Sequence, residues 1–227
     1  VDAVIATIQS GIPMARIEFV DAVAAAGFNR ISGAGWPDAP HLMLEFHGSE
    51  RGVAEQIERF SEIAADFGAQ GFRWAEQPED RKALWAMRHN TYRAWLQIYP
   101  GARPITTDIC VPISRLAEAV EETAAEIAGS GIPGPIVGHA GDGNFHALLL
   151  PRAGDAQELA LAQTLAGNMA ERALRLGGTV SGEHGIGMGK TKYMRAEHAE
   201  GWDVMGRIKA ALDPEGIMNP GKLVPGN

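Results

Sequence analysis

Amphipathic segments of two different periods alternate along the chain, and this alternation constrains the fold more than any other feature. In the segment 41–48, Leu42, Leu44 and Phe46 project to one side and mostly polar residues to the other, a period of two that predicts a strand with one buried face. Across 53–67, apolar residues recur at every third or fourth position, which is the period of a helix. The pattern therefore predicts an α+β fold.

We expect a mostly antiparallel sheet covered by helices, with ferredoxin-like elements and a helical C-terminal part. The predicted helix at 13–27 depends on Pro13, which suits a first helical turn, and on the apolar spacing from Ile17 to Phe28. Further helices are predicted over 53–67, 79–98, 114–128, 155–176 and about 202–212. Strands are predicted over 41–48, 72–75, 105–112, 135–140 and 145–150.

Composition restricts the classes of partner. The 227 residues include 20 Lys and Arg against 28 Asp and Glu, a formal net charge of −8, and no basic run that would neutralise a phosphate backbone. We therefore expect no nucleic-acid partner. A single cysteine cannot form an internal disulfide, and no run of 18 apolar residues predicts a transmembrane segment.

A glycine-rich segment at 138–146, GHAGDGNFH, carries more polar side chains than packing explains. Its glycines oppose a regular helix and permit a tight turn. If the residues after the turn are extended, Asn144 and His146 project from one face, and the turn brings His139 close to them. Two imidazoles would then converge.

A second such segment, 177–190, places Glu183 and His184 among six glycines, and a third, NPGK at 219–222, follows the last predicted helix. A loop of this composition is costly to order unless it covers a ligand or another domain. We therefore expect the 177–190 segment to lie over a site.

Two histidines and one carboxylate form the ligand set of many catalytic divalent-metal sites. His139, His146 and Glu183 could supply that set, with zinc as the expected ion and manganese or iron as alternatives. No short metal-binding signature such as HExxH occurs. An equally open interpretation is that these histidines are hydrogen-bonded to the backbone of strands and loops.

Several motifs in sequence order resemble the C-terminal half of the FAD-linked D-2-hydroxyacid dehydrogenases. The segments GHAGDGNFH, SGEHGIGMGK and LDPEGIMNPGK carry the general resemblance. The segments LEFHGSE, WAMRHNTY and TDICVPISRL are most similar to the branch of the cytochrome-type D-lactate dehydrogenases, to which the glycolate oxidase flavin subunit is related. The resemblance extends from about Val1 to Lys222.

The resemblance implies that 1–227 is the substrate or cap domain of a longer flavoprotein of the vanillyl-alcohol-oxidase type. Residues 1–176 would form a sheet-and-helix cap region, and 177–227 a glycine-rich loop, helix and tail that pack toward an FAD-binding domain. Electrons would pass to a cytochrome or quinone-linked acceptor. We expect a cytoplasmic protein, with peripheral attachment to a membrane through that acceptor as an alternative.

The resemblance also implies roles for individual residues. The divalent metal would be bound by His139, His146 and Glu183. His184 would be the catalytic base, Arg88 would hold the substrate carboxylate, Asn144 would lie beside the metal and the substrate, and Asn219 would lie near the flavin. Relatives that act on dicarboxylates carry a lysine where this chain has Thr106 or Thr107. This difference favours a small monocarboxylate such as lactate.

Oxidation of a 2-hydroxy acid needs a hydride acceptor, which no side chain provides, so the implied activity requires FAD. Without that cofactor domain we expect the chain to be inactive. Two other classes stay open. The first is a freestanding metal-dependent hydrolase that uses the same ligands, with His184 as its base. The second is a non-catalytic interaction domain whose glycine-rich loops dock a partner.

Overall fold

The computed structural model describes residues 1–224. The helices of this part are α1 (Asp2–Gln9), α2 (Ala22–Ser32), α3 (Glu50–Asp66), α4 (Pro78–Ile98), α5 (Leu116–Ser130), α6 (Ala156–Arg175), α7 (Thr191–His198) and α8 (Gly201–Leu212). The strands are β1 (Met14–Val20), β2 (His41–Phe46), β3 (Ile105–Thr106), β4 (Ile109–Cys110), β5 (Ile136–His139) and β6 (Asn144–Leu149). Within residues 1–224, the helices all lack the length or the apolar character needed to cross a bilayer.

The strands form one antiparallel sheet in the order β2-β1-β5-β6-β3, with β4 also paired to β6. The two short strands β3 and β4 pair with opposite ends of β6. The hairpin of β5 and β6 lies at the centre, where Val137 pairs with His146 and His139 with Asn144. The predicted α+β class and the mostly antiparallel sheet are confirmed.

The two faces of the sheet differ in what covers them. On one face, Ile17 and Phe19 of β1 and Phe145 of β6 join the main core, which α1, α5 and α6 complete. On the other, Val20 packs with Ala24 of α2 and Met87 of α4. Because side chains alternate along a strand, Glu18, His139 and His146 lie on this second face.

The C-terminal part is helical, as predicted. Ala170 of α6, Met194 of α7 and Trp202 of α8 form a small core of their own. The helices α1 and α7 were not predicted, because each has only eight residues and thus little periodicity to detect.

Side-chain caps fix several helix starts. Asp21 accepts a hydrogen bond from the Ala24 amide at 2.6 Å at the start of α2, and Ser49 and Asp155 cap α3 and α6 in the same way. The helices predicted at 53–67, 79–98, 114–128, 155–176 and 202–212 are confirmed with ends shifted by a few residues, as are the strands at 41–48, 135–140 and 145–150.

The predicted helix at 13–27 is wrong. Residues Met14–Val20 form β1, and α2 begins only after its cap at Asp21. The spacing from Ile17 to Phe28 runs across that boundary and mimics a helical stripe. The backbone of Met14–Val20 instead pairs with β2 on one side and β5 on the other, which outweighs its local preference.

Two predicted strands also differ. Residues 72–75 make no ladder in the described structure, and Phe72 and Trp74 are exposed. The strand predicted at 105–112 is split into β3 and β4 by Thr107 and Asp108. The Thr107 amide still donates to the Ala147 carbonyl, but the Thr107 hydroxyl accepts the Ala147 amide, and the Asp108 carboxylate accepts amides of the 181–190 loop, so the regular ladder is interrupted there.

Candidate metal and substrate site

A cleft of about 890 Å³ opens on the sheet face that carries the two histidines. Its wall is built from β1, α4, the β5-β6 hairpin and the glycine-rich loop. The polar residues that line it include Glu18, Arg88, His139, His146, Glu183 and His184. The chain thus brings four distant segments to one cavity.

His139 and His146 are brought together by the β5-β6 hairpin, as the turn at 138–146 predicts. Their rings lie 5.9 Å apart between centroids, edge to face. Oε1 of Glu183 lies 3.0 Å from Nε2 of His146 and 3.4 Å from Nε2 of His139. The three ligand atoms all lie within 4.8 Å of one another. Their role as metal ligands stays a prediction.

The other ring nitrogen of each histidine is already engaged. Nδ1 of His139 lies 2.6 Å from Oε1 of Glu18, and Nδ1 of His146 lies 3.0 Å from the Thr107 carbonyl. Both partners are acceptors, so each Nδ1 carries the proton in the neutral ring and each Nε2 presents a lone pair. Two lone pairs and a carboxylate oxygen therefore face one another, and this donor set fits a cation.

The two imidazoles differ in electrostatic environment. The hydrogen bond to Glu18, helped by the charge of that carboxylate, raises the pKa of His139 above its usual value. Burial lowers the pKa of His146. Burial alone would raise the pKa of Glu18, but the hydrogen bond from His139 and the Arg88 guanidinium lower it overall. Glu18 is therefore ionised.

Asp108 holds the glycine-rich loop against the sheet. Its buried carboxylate accepts the backbone amides of Glu183 and His184 at 3.1 and 3.0 Å and the Lys190 ammonium at 2.9 Å. Burial alone would raise the pKa of Asp108, but hydrogen bonds from Lys190, from Asn144 and from the two amides hold it well below its ordinary range. One carboxylate thus positions both loop residues of the site.

Gly182 is required for that close approach. A Cβ at this position would overlap the Asn144 side-chain amide and crowd Asp108. Asn144 itself is buried and donates to Asp108 at 3.0 Å and to the Ile109 carbonyl at 3.1 Å. It supports the loop from below and is not among the residues that line the cleft, while its Oδ1 has no partner within the described residues.

The remaining predicted residues take different positions. Arg88 lines the cleft, and its Nε donates to Glu18 at 2.9 Å. His184 is largely exposed, with Nε2 3.4 Å from Glu183. Asn219 lies in the tail at a positive φ of 48°, exposed and outside the cleft wall. The structure brings Arg88 and His184 to the candidate ligands, and the expected position of Asn219 near the flavin stays a prediction.

A second group of ligand atoms, from Asp108, His146 and His184, is equally compact. The Asp108 oxygens already accept hydrogen bonds from Lys190, Asn144 and two backbone amides, so few of their lone pairs remain to bind a cation. We therefore assign the candidate metal site to His139, His146 and Glu183.

Sequence reasoning missed Glu18 and Asp108. Each is a charged residue inside a largely apolar strand segment, RIEFV and TDICV, and such a residue is rarely buried without a partner. A charged residue in a predicted strand is a recognisable signal at Asp108. At Glu18 the predicted helix removes that signal, because a charged residue on a helix is usually solvated.

Comparison with known proteins relates the chain to one family and to two named types of enzyme. The family model described as "FAD linked oxidases, C-terminal domain" matches residues 1–223. The chain is 43% identical over 225 residues to the probable mitochondrial D-lactate dehydrogenase of Danio rerio, covering 99% of this chain and 45% of that protein. It is 34% identical to glycolate oxidase subunit GlcD of Escherichia coli K12, covering 96% of this chain and 44% of that protein. The chain thus spans somewhat less than half the length of these relatives.

Solved structures share the fold at low sequence identity. A 4-ethylphenol oxidase from Gulosibacter chungangensis matches with a TM-score of 0.61 at 17% identity, over 91% of this chain and 47% of that one. An alkyldihydroxyacetonephosphate synthase matches with a TM-score of 0.57 at 15% identity, over 98% of this chain and 42% of that one. At these identities the comparison supports the fold alone.

Proposed function

Because this chain belongs to the family of FAD linked oxidases, C-terminal domain, we propose that it is the substrate- and metal-binding half of an FAD-dependent dehydrogenase. The proposed reaction oxidises D-lactate or a similar small D-2-hydroxy acid to the 2-oxo acid, with electrons passed to a cytochrome or quinone-linked acceptor. The observation that carries the proposal is the convergence of His139, His146 and Glu183 beside Arg88 in one cleft.

Arg88 is suited to bind the substrate carboxylate. Its Nε is held by Glu18, so the two terminal nitrogens remain available for a carboxylate in the bidentate geometry that guanidinium groups favour. The side chain is 16% exposed, and a charge pair in such a partly dehydrated cleft is stronger than one in bulk water. Arg88 therefore orients the 2-hydroxy acid with its hydroxyl toward the three ligand atoms.

His184 is proposed to take the hydroxyl proton at a ring nitrogen. Its side chain reaches the cleft from the loop that Asp108 fixes, and it lies beside the ligand carboxylate of Glu183. When bound, FAD would accept the hydride from the substrate carbon, and a divalent cation, with zinc as the first expectation, would lower the pKa of the substrate hydroxyl.

The walls of the cleft favour a monocarboxylate. By the resemblance, relatives that act on dicarboxylates carry a lysine at the position of Thr106 or Thr107; here Thr106 lines the cleft and Thr107 is buried and not part of its lining. The other guanidinium of the wall, Arg16, lies over the Trp85 ring at 4.9 Å and faces the Glu45 carboxylate at 4.0 Å. No additional uncommitted cation among residues 1–224 lines the cleft to bind a second substrate carboxylate.

The FAD-binding domain is the proposed partner of an exposed apolar surface at the C-terminal end. We define this α8 surface by Val204, Ile208, Leu212, Ile217 and Met218, each at least half exposed. The first three recur every fourth residue and thus form one stripe of the helix. A stripe of this kind is costly to leave in water, and the relatives have more than half of their length outside this region.

The function is tested in the protein that contains both halves. Anaerobic mixing with D-lactate should bleach the flavin absorbance, whereas L-lactate should not. His184→Ala should abolish bleaching while the metal content is retained, and His47→Ala, which changes an exposed histidine outside the cleft, should behave as the wild type. Normal bleaching by His184→Ala would refute the assignment of the base.

The same protein separates the alternatives. A hydrolase would turn over its substrate without flavin, and an interaction domain would hold no stoichiometric metal after dialysis.

For the α8 surface, the double variant Ile208→Glu, Leu212→Glu should lose flavin from the protein, whereas Val23→Glu, on an exposed position of α2, should not. Equal flavin content in both would contradict the proposed docking.

A further inference from the structure

Glu18 is a buried carboxylate that lies between the candidate metal ligands and Arg88, the candidate carboxylate anchor. It lies on β1, where Ile17 and Phe19 point into the main core and Glu18 points into the cleft. Its side chain is only 5% exposed. Burial of a carboxylate to this extent is unfavourable unless both oxygens find donors.

Both oxygens are used, and by different groups. Oε1 accepts from Nδ1 of His139 at 2.6 Å, and Oε2 accepts from Nε of Arg88 at 2.9 Å. His139 comes from β5, 121 positions away, and Arg88 from α4, 70 positions away. One side chain thus joins a candidate metal ligand to the candidate carboxylate anchor.

We propose that Glu18 is a positioning residue that sets the orientation of His139 toward the metal and of Arg88 toward the substrate carboxylate. This inference rests on the proposed function. Because an ionised carboxylate can only accept, it fixes the proton of neutral His139 on Nδ1 and leaves the Nε2 lone pair directed at Glu183. It also occupies Nε of Arg88, which turns the terminal nitrogens of the guanidinium toward open cleft.

The two contacts together require a carboxylate. A glutamine at position 18 would offer one acceptor and one donor, whereas His139 and Arg88 both present donors. If the amide oxygen accepted from Arg88, the amide nitrogen would face Nδ1 of His139 and favour the tautomer with its proton on Nε2. If the amide were turned round, its nitrogen would face the Arg88 N–H. Glu18→Gln must therefore weaken one side of the cleft.

The first test measures metal affinity and kinetics separately. In the full-length protein, Zn²⁺ affinity is determined by competition with a chelating dye, and KM and kcat are determined with D-lactate. Glu18→Gln should lower Zn²⁺ affinity about tenfold to a hundredfold, the range for loss of a partner behind a metal-bound histidine, or raise KM severalfold with a smaller change in kcat. Glu55→Gln, which removes an exposed carboxylate of α3 paired with Arg51 at 2.9 Å, is the matched control and should change neither.

If Glu18→Gln retains wild-type affinity and KM within twofold, the inference is overturned. The second measurement needs no variant and no metal. Nitrogen-15 NMR of the metal-free wild type, at a pH where the ring is neutral, should find the His139 proton on Nδ1, and a proton on Nε2 would overturn the inference even if Glu18→Gln does not fold. Failure of the wild type to oxidise any D-2-hydroxy acid would instead refute the proposed function, while the tautomer still decides the role of Glu18.

Discussion

Replacing Asp108 with asparagine should release the loop that carries Glu183 and His184. The Asp108 carboxylate is 4% exposed and accepts from Lys190, Asn144 and two backbone amides. In the asparagine variant, a donor NH₂ replaces one acceptor oxygen, and either orientation of the amide sets it against at least one of these donors.

The expected cost follows from burial and charge. Removing one partner of a buried, hydrogen-bonded charge pair costs about 3–5 kcal/mol. Lys190 is 23% exposed and can be partly hydrated when its partner is lost, so we take the lower end, about 3 kcal/mol. If the loop opens locally, this free energy corresponds to about a hundredfold faster hydrogen exchange at the two amides.

Native-state hydrogen exchange followed by NMR measures this effect at the amides of Glu183 and His184 directly. The matched control is Asp203→Asn, which removes an exposed carboxylate paired with Arg195 and should leave hydrogen exchange at Glu183 and His184 unchanged. If the two variants exchange at the same rate at Glu183 and His184, Asp108 does not anchor the loop and the reasoning is refuted.

Three further predictions have defined outcomes. Gly182→Ala should lower metal affinity at least tenfold, because the added methyl would overlap the buried amide beneath it, whereas Gly189→Ala in the same loop meets no atom within 4 Å and should be silent by the same dye competition. Burial raises the pKa of Asp21 to about 6, so the folded state holds this proton more tightly than the unfolded state. In urea titrations the free energy of unfolding should therefore fall by up to about 3 kcal/mol as the pH rises from about 4 to 6. Asp21→Asn keeps the cap but has no proton to lose, so it should not show this fall. Gly27→Ala should lower the free energy of unfolding by about 1–3 kcal/mol in thermal unfolding, because its methyl would overlap the indole ring of Trp95 on α4. Gly206→Ala on α8 meets no atom within 4 Å and should raise it by about 0.5–1 kcal/mol. Equal effects within either glycine pair, or the same pH profile for the wild type and Asp21→Asn, would contradict these assignments.

Periodicity predicted the elements that are long and amphipathic. The helix α3 and the strand β2 both show their period over enough residues to be identified locally. The hairpin of β5 and β6 could also be predicted, because the glycines between the two strands mark the turn. From that hairpin alone, the approach of His139 to His146 follows.

The position of Glu183 in the site could not be derived from periodicity. It lies 37 positions after His146, in a loop with no regular period, and reaches the hairpin only because Asp108 and Gly182 let the loop pack closely. The resemblance to a known family supplied the grouping of these three residues. The contacts that bring these three residues together form between distant segments, so no local pattern in the sequence reveals them.

Whether Glu18 lies in a helix or in a strand decides its chemistry as well as the topology. In a helix, Glu18 would lie 100° from Ile17 and outside the apolar stripe, which is the usual place of a solvated glutamate. In a strand, the same residue alternates with two core side chains and must enter whatever covers the other face of the sheet. The sequence holds one local sign of where the helix begins: Asp21 is a favoured N-cap residue, and in the structure its carboxylate accepts the Ala24 amide. A helix that begins at Asp21 leaves Glu18 in an extended segment, where it alternates with two core side chains and faces the cleft. Its pairing with Arg88 and His139 depends on contacts between distant segments, which the local sequence does not give.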